Sequence, residues 1–194
     1  MGSKGRKKPS LHSLSRLPMN METFFKELGG ESDRACALIA GAAISDGLRD
    51  LLKLYFVKLE EDDIDRLFIK PRALLADFSG QTDVSFALGL ISPKERLVAN
   101  VIRGIRNVFA HTLAQIEFSN ELIVCELSKI SRVNSSSNEV VKGGFIRISL
   151  ALYLALRARG DYLTSQRSGL AGGWPVPIYE LAKQKRDGGM VAPD

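Results

Sequence analysis

The run Ser92-Pro93-Lys94-Glu95-Arg96-Leu97-Val98-Ala99-Asn100-Val101-Ile102-Arg103-Gly104-Ile105-Arg106-Asn107-Val108-Phe109-Ala110-His111 carries the start signal, the apolar face and the polar end of one helix. Ser92 can cap it. Pro93 suits the first helical position, where its missing N–H would be unpaired anyway, and Glu95 can reach back to close a capping box. Val98, Val101, Ile102, Ile105, Val108 and Phe109 recur at helical spacing, so one face is apolar and packs inward. Asn107 and His111, four apart, share the polar side with Arg96, Asn100 and Arg103. At about 100° per residue Arg106 falls on the flank, about 140° from His111. Arg103, Arg106 and His111 complement the negative end of the helix dipole and can cap its last carbonyls. The competing reading gives Arg106, Asn107 and His111 an active role.

The same signals recur on either side. Asn20 can cap a short helix from Met21 to Leu28, stopped by Gly29-Gly30. Ser32 caps the longest helical run, with Asp33 in its first turn, and apolar residues from Ala35 to Leu59 carry it to about residue 59 as a central helix. The small residues from Ala35 to Ala43, Gly41 among them, let another helix approach closely. Asp62 or Asp63 starts a short helix through Phe68 that Pro71 ends, and residues 73–78 continue as a turn or single short helix. Ser79 caps a helix over residues 81–88 that stops at Gly89. The tight apolar link Leu90-Ile91 then predicts an antiparallel pair with the Ser92 helix. Ser119 begins a helix to Ile130, and the polar run 134–138 reads as a loop. Residues 145–150 alternate like a strand, but the unbroken apolar segment to about Thr164 has helical length and composition. The fold class expected is all-α: a single compact bundle of about six or seven helices over residues 20–167. A basic arm at 1–19 and a Gly/Pro-rich tail at 168–194 flank it. Trp174-Pro175-Val176-Pro177 in that tail reads as an extended segment docked on the body or as a partner-binding peptide.

With 194 residues and 45% hydrophobic content, one domain with an ample core is expected. Cys36 and Cys125 fall in apolar helical runs without a CxxC pair or signal-peptide pattern, which predicts reduced, buried thiols in the cytoplasm and no metal site. No cofactor motif occurs, and the Gly-Gly pairs at 29, 143, 172 and 188 read as turns. The apolar stretch 35–59 is interrupted by Asp46, Arg49, Asp50 and Lys53, so no membrane span is expected. The acidic group Glu60 to Asp63 with Asp65 reads as a solvated helix start rather than a cation site, and His12 stands without sequence neighbours to work with.

The net charge is +5, and five of the 27 basic residues lie in residues 1–18 without an acid, leaving 22 basic against 22 acidic residues in the body. A neutral body is a poor match for duplex phosphates, whereas a basic arm adds salt-sensitive affinity for RNA, DNA or an acidic partner. The segments after the short turns at Gly29 and Gly89 are apolar rather than base-reading, so direct operator binding is not expected.

Ser32-Asp33-Arg34 leading into an alanine-rich helix with Asp46, then Phe78-Ser79, then Phe86-Ala87-Leu88-Gly89-Leu90-Ile91, and finally Ile102 to His111 together resemble the mannitol operon repressor family over roughly residues 25–130. The resemblance implies an all-helical bacterial transcriptional regulator of mannitol uptake and use that lacks a helix-turn-helix, and the neutral body without metal or phosphate motifs adds the expectation that it acts through a partner protein. The residues it marks for binding are Asp33, Arg34, Asp46, Arg103, Arg106, Asn107 and His111. Arg106, four intervening residues and His111 also resemble the signature of the HEPN superfamily, whose members include metal-independent ribonucleases. That resemblance implies Arg106 steadying the cleaved phosphate, Asn107 positioning it and His111 as general acid or base. An imidazole with an unperturbed pKa of about 6.5 holds both protonation states near neutrality. On one continuous helix Arg106 and His111 diverge, so this chemistry requires the helix to end near 109 or a two-fold homodimer to supply one residue from each chain.

Overall fold

A computed structural model describes residues 21–56, 58–132 and 135–168, with side-chain surroundings from residue 26 to 166. The basic arm, His12 and the Trp174–Pro177 tail lie outside them. Seven helices form the described residues: α1 (Met21–Gly30), α2 (Asp33–Tyr55), α3 (Glu61–Phe68), α4 (Phe78–Ala87), α5 (Pro93–His111), α6 (Glu121–Ser128) and α7 (Asn138–Ser168). No strand occurs among them, and none of their helices is long and apolar enough to cross a membrane.

α2 is the central rod. It touches α1, α4, α5 and α7, burying Cys36, Ala37, Ala40, Gly41, Ile44, Gly47, Leu48, Leu51 and Leu52. Its small residues set the spacing. A Cβ on Gly41 would stand 2.8 Å from Cγ of Arg106, and one on Gly47 would stand 3.3 Å from Leu156, so α5 and α7 both cross α2 at glycines. Ser32 caps α2 by accepting from the Ala35 N–H. The helix ends at Tyr55, not near 59: Phe56 turns extended, which brings its ring to 6.2 Å from that of Phe68 on α3.

α5 opens with the full capping box expected from Ser92 and Glu95, behind Pro93. α4 and α5 pack as a helical hairpin through the buried link Leu90-Ile91, with Gly89 at φ +70° where a side chain would be strained. Asp77, not Ser79, caps α4, because the helix starts one turn earlier and the Asp77 carboxylate accepts from the Gly80 N–H. Asn120 rather than Ser119 caps α6, which ends at Ser128. Cys125 is exposed rather than buried: it lies about 200° around α6 from the buried Ile123.

α7 begins at Asn138, so the end of the polar loop and Gly143-Gly144 are helical instead of forming a turn. Val141 and Phe145 are fully buried on either side of that glycine pair, and this burial outweighs the glycines' poor helix propensity.

Candidate functional site

The last two turns of α5 are held from below by aromatic packing. Phe109, at the end of the apolar face, meets Phe118 at 4.9 Å between ring centroids, and Phe118 meets Phe145 of α7 at 5.0 Å. All three rings are fully buried. The connector from α5 to α6 therefore leaves the helix at Thr112, loops out, and returns to the core at Phe118.

The start of α2 fastens this loop. Arg34 donates through Nη2 to the carbonyl oxygens of Thr112 at 2.7 Å and Ala114 at 3.1 Å. Asp33, with only 13% of its side chain exposed, accepts from the Phe118 N–H at 3.1 Å and from the Asn138 amide at 2.8 Å, and pairs with Lys142 at 3.4 Å. Asn138 in turn accepts from the Ser119 N–H at 3.0 Å. Two adjacent residues of α2 thus fix both ends of the connector, and the first turn of α7 closes the network. The carbonyl oxygens that follow α5 are taken by Arg34, not by Arg103, Arg106 or His111. Burial is tight enough here to push the Cys36 thiol up to about 11.

Between the two clamped carbonyls stands Leu113, with 99% of its surface exposed. Leu122, in the first turn of α6, is 73% exposed. His111 is exposed at the end of α5.

The other expected site residues are spread out. Arg106 lays its aliphatic stem against Gly41 and donates from Nη1 to the Asn107 side-chain oxygen at 3.0 Å. α5 remains helical through His111, so the angle of about 140° between Arg106 and His111 persists within one chain. Arg103 bonds Asn100 at 3.2 Å, one turn back on α5. Asp46 pairs with Arg49 at 2.7 Å, about 20 Å along α2 from Asp33 at 1.5 Å per residue. The seven residues therefore form separate groups, and Asp33 with Arg34 is the pair that reaches the end of α5.

Sequence reading missed Asn138 and Lys142, which act on Asp33 across more than a hundred residues of chain. It also missed a polar seam in α4. There Gln81, Thr82 and Ser85 are buried; Gln81 accepts from the Ser45 hydroxyl at 2.7 Å and donates to the Leu75 carbonyl at 2.9 Å. Among the described residues no group of three or more His, Cys, Asp or Glu side chains could hold a metal ion. Asp63 of the acidic α3 start pairs with Arg66 at 2.6 Å. A shallow apolar depression lined by Lys53, Leu54, Leu59 and Ile64 lies toward the opposite end of α2.

Set against known protein families, curated proteins and solved structures, the chain matches none of them.

Proposed function

We propose that the protein is a transcriptional regulator of the mannitol operon repressor type, acting by docking a partner protein on the end of its helical body rather than by gripping DNA. The observation that carries this reading is Leu113. A leucine at 99% exposure, flanked by two carbonyls that one guanidinium holds, is an apolar anchor presented on a stiffened loop. A leucine seated in a partner's pocket removes a large apolar surface from water, and ordering the loop in advance lowers the entropic cost of docking. The charge balance of the body, neutral outside residues 1–18, agrees with a protein partner.

The test pairs two assays on the full chain. A labelled regulated-promoter duplex at moderate salt shows no sequence-specific shift. Crosslinking in cells recovers a partner with the wild type and loses it with Leu113→Asp. Sequence-specific duplex binding that survives removal of residues 1–18 would overturn the reading.

A second reading is supported by the Arg106–Asn107 hydrogen bond beside an exposed His111: a metal-independent ribonuclease whose site is completed across a homodimer. It requires that His111→Ala abolish cleavage of single-stranded RNA by the pure protein, and equal behaviour of the two proteins removes it.

A further inference from the structure

The outer side of α5 carries positive charge that its surroundings leave unbalanced. From Arg96 to Ile116 the chain has no Asp or Glu. Arg96 pairs with Asp83 of α4, but Arg103 and Arg106 meet neutral oxygens: Arg103 donates from Nη2 to the Asn100 side chain at 3.2 Å, and Arg106 from Nη1 to that of Asn107 at 3.0 Å. Among the described residues neither has a carboxylate within ion-pair distance. The nearby acids of α2 are engaged elsewhere, Asp33 with Lys142 and Asp46 with Arg49. Each amide oxygen occupies one nitrogen of a five-donor fork and leaves the other donors for a further acceptor, of which a carboxylate takes two in parallel.

This charge lies close to Leu113. Arg34 holds the carbonyls on either side of Leu113, and the Arg106 stem rests on Gly41. Arg34 and Gly41 are seven residues apart on α2, which puts both contacts on one face about 10 Å apart. Two turns of a partner helix cover the same length.

We propose, resting on the docking reading of Leu113, that the segment which docks here is acidic and amphipathic. Its apolar side covers Leu113, and carboxylates about two turns away pair with Arg106 and Arg103. Nucleic-acid phosphate answers the charge but not the leucine. Single strands bind over aromatic side chains on which bases stack, and the exposed aromatic residues among those described, Tyr55 and Tyr162, stand toward the opposite end of the bundle. Tyr55 is about 32 Å along α2 from Arg34, and Tyr162 follows Arg159, which bonds Glu95 at the start of α5.

The test titrates the full-length protein into labelled probes and reads fluorescence anisotropy. Two helical peptides share a leucine face and carry either glutamate or glutamine seven residues from the central leucine; single-stranded oligouridine is the third probe. The wild type is expected to bind the glutamate peptide more tightly than the glutamine one, with the difference shrinking as salt rises. The double variant Arg103→Gln/Arg106→Gln loses about fivefold in affinity for the glutamate peptide and nothing for the glutamine peptide. Glutamine at 106 keeps the Cβ and Cγ that pack on Gly41, and the comparison of the two peptides on the wild type needs no variant at all. Equal binding of the two peptides, both lost with Leu113→Asp, overturns the charge assignment while leaving Leu113 as the anchor. A glutamate peptide indifferent to Leu113→Asp removes the docking reading instead. Binding of neither peptide, or a preference for oligouridine that the arginine variant abolishes, overturns the proposal.

Discussion

At the N-terminal end of α5 the helix's own side chains close on their neighbours, whereas at its C-terminal end another helix does the fastening. Ser92 and Glu95 cap one another, Glu95 reaches Arg159 of α7 at 2.7 Å, and Arg96 pairs with Asp83 of α4 at 2.6 Å while lying over the Phe86 ring. At the far end Arg34 and Asp33 of α2 hold the backbone, and His111 and Leu113 are left facing outward. An end that consumes its own side chains is an anchor. An end whose backbone is satisfied from elsewhere leaves its side chains exposed to solvent.

The contrast breaks most severely at Phe118. Truncation to Ala opens a cavity between Phe109 and Phe145, so Phe118→Ala is expected to cost about 4 kcal/mol. Urea denaturation reads this as a lower midpoint with an unchanged slope.

Arg34→Met removes two charge-assisted hydrogen bonds while keeping the stem, at a cost of about 2 kcal/mol. Its distinguishing readout is local: amide exchange accelerates in residues 112–116, while the Ser92 end of α5 retains its protection.

The N-terminal end gives a smaller effect with a pH signature. Burial raises the Glu95 carboxyl, but the hydrogen bonds from the Ser92 N–H, the Arg159 guanidinium and the Ser92 hydroxyl together outweigh it and hold the group below its ordinary value of 4.5. A carboxyl depressed in the folded state contributes stability that is present above the unfolded value and lost as pH falls through the folded one. Glu95→Gln is therefore expected to cost about 1 kcal/mol at pH 7. Melts across the acid range should show that deficit disappearing below the folded-state value.

The difference between the two ends also marks what sequence can convey. The Ser92-Pro93-Glu95 box is legible because its partners lie within one helical turn, and the run of small residues announced the close approach that Gly41 makes to Arg106. The Asp33 network is not legible in the same way. Its partners Phe118, Asn138 and Lys142 are brought to α2 only by the packing of α5 and α7, and a lone Asp at a helix start already has a sufficient local reason to be there. Gly143-Gly144 misleads for a related cause: a glycine pair favours a turn until Val141 and Phe145 find a core to bury in. Exposed Cys125 shows the same weakness on a helix of two turns, where an apolar run does not reveal which side faces in.

The central claim, that the C-terminal end of α5 is the docking end, is tested most directly by affinity for the crosslinked partner in two exposed leucine variants of this helix and its connector. Leu113→Asp is expected to weaken binding by more than about tenfold, with the melting temperature unchanged, while Leu97→Asp near the anchored end binds as the wild type does. Equal affinity of the two variants, or a loss confined to Leu97→Asp, would contradict the account.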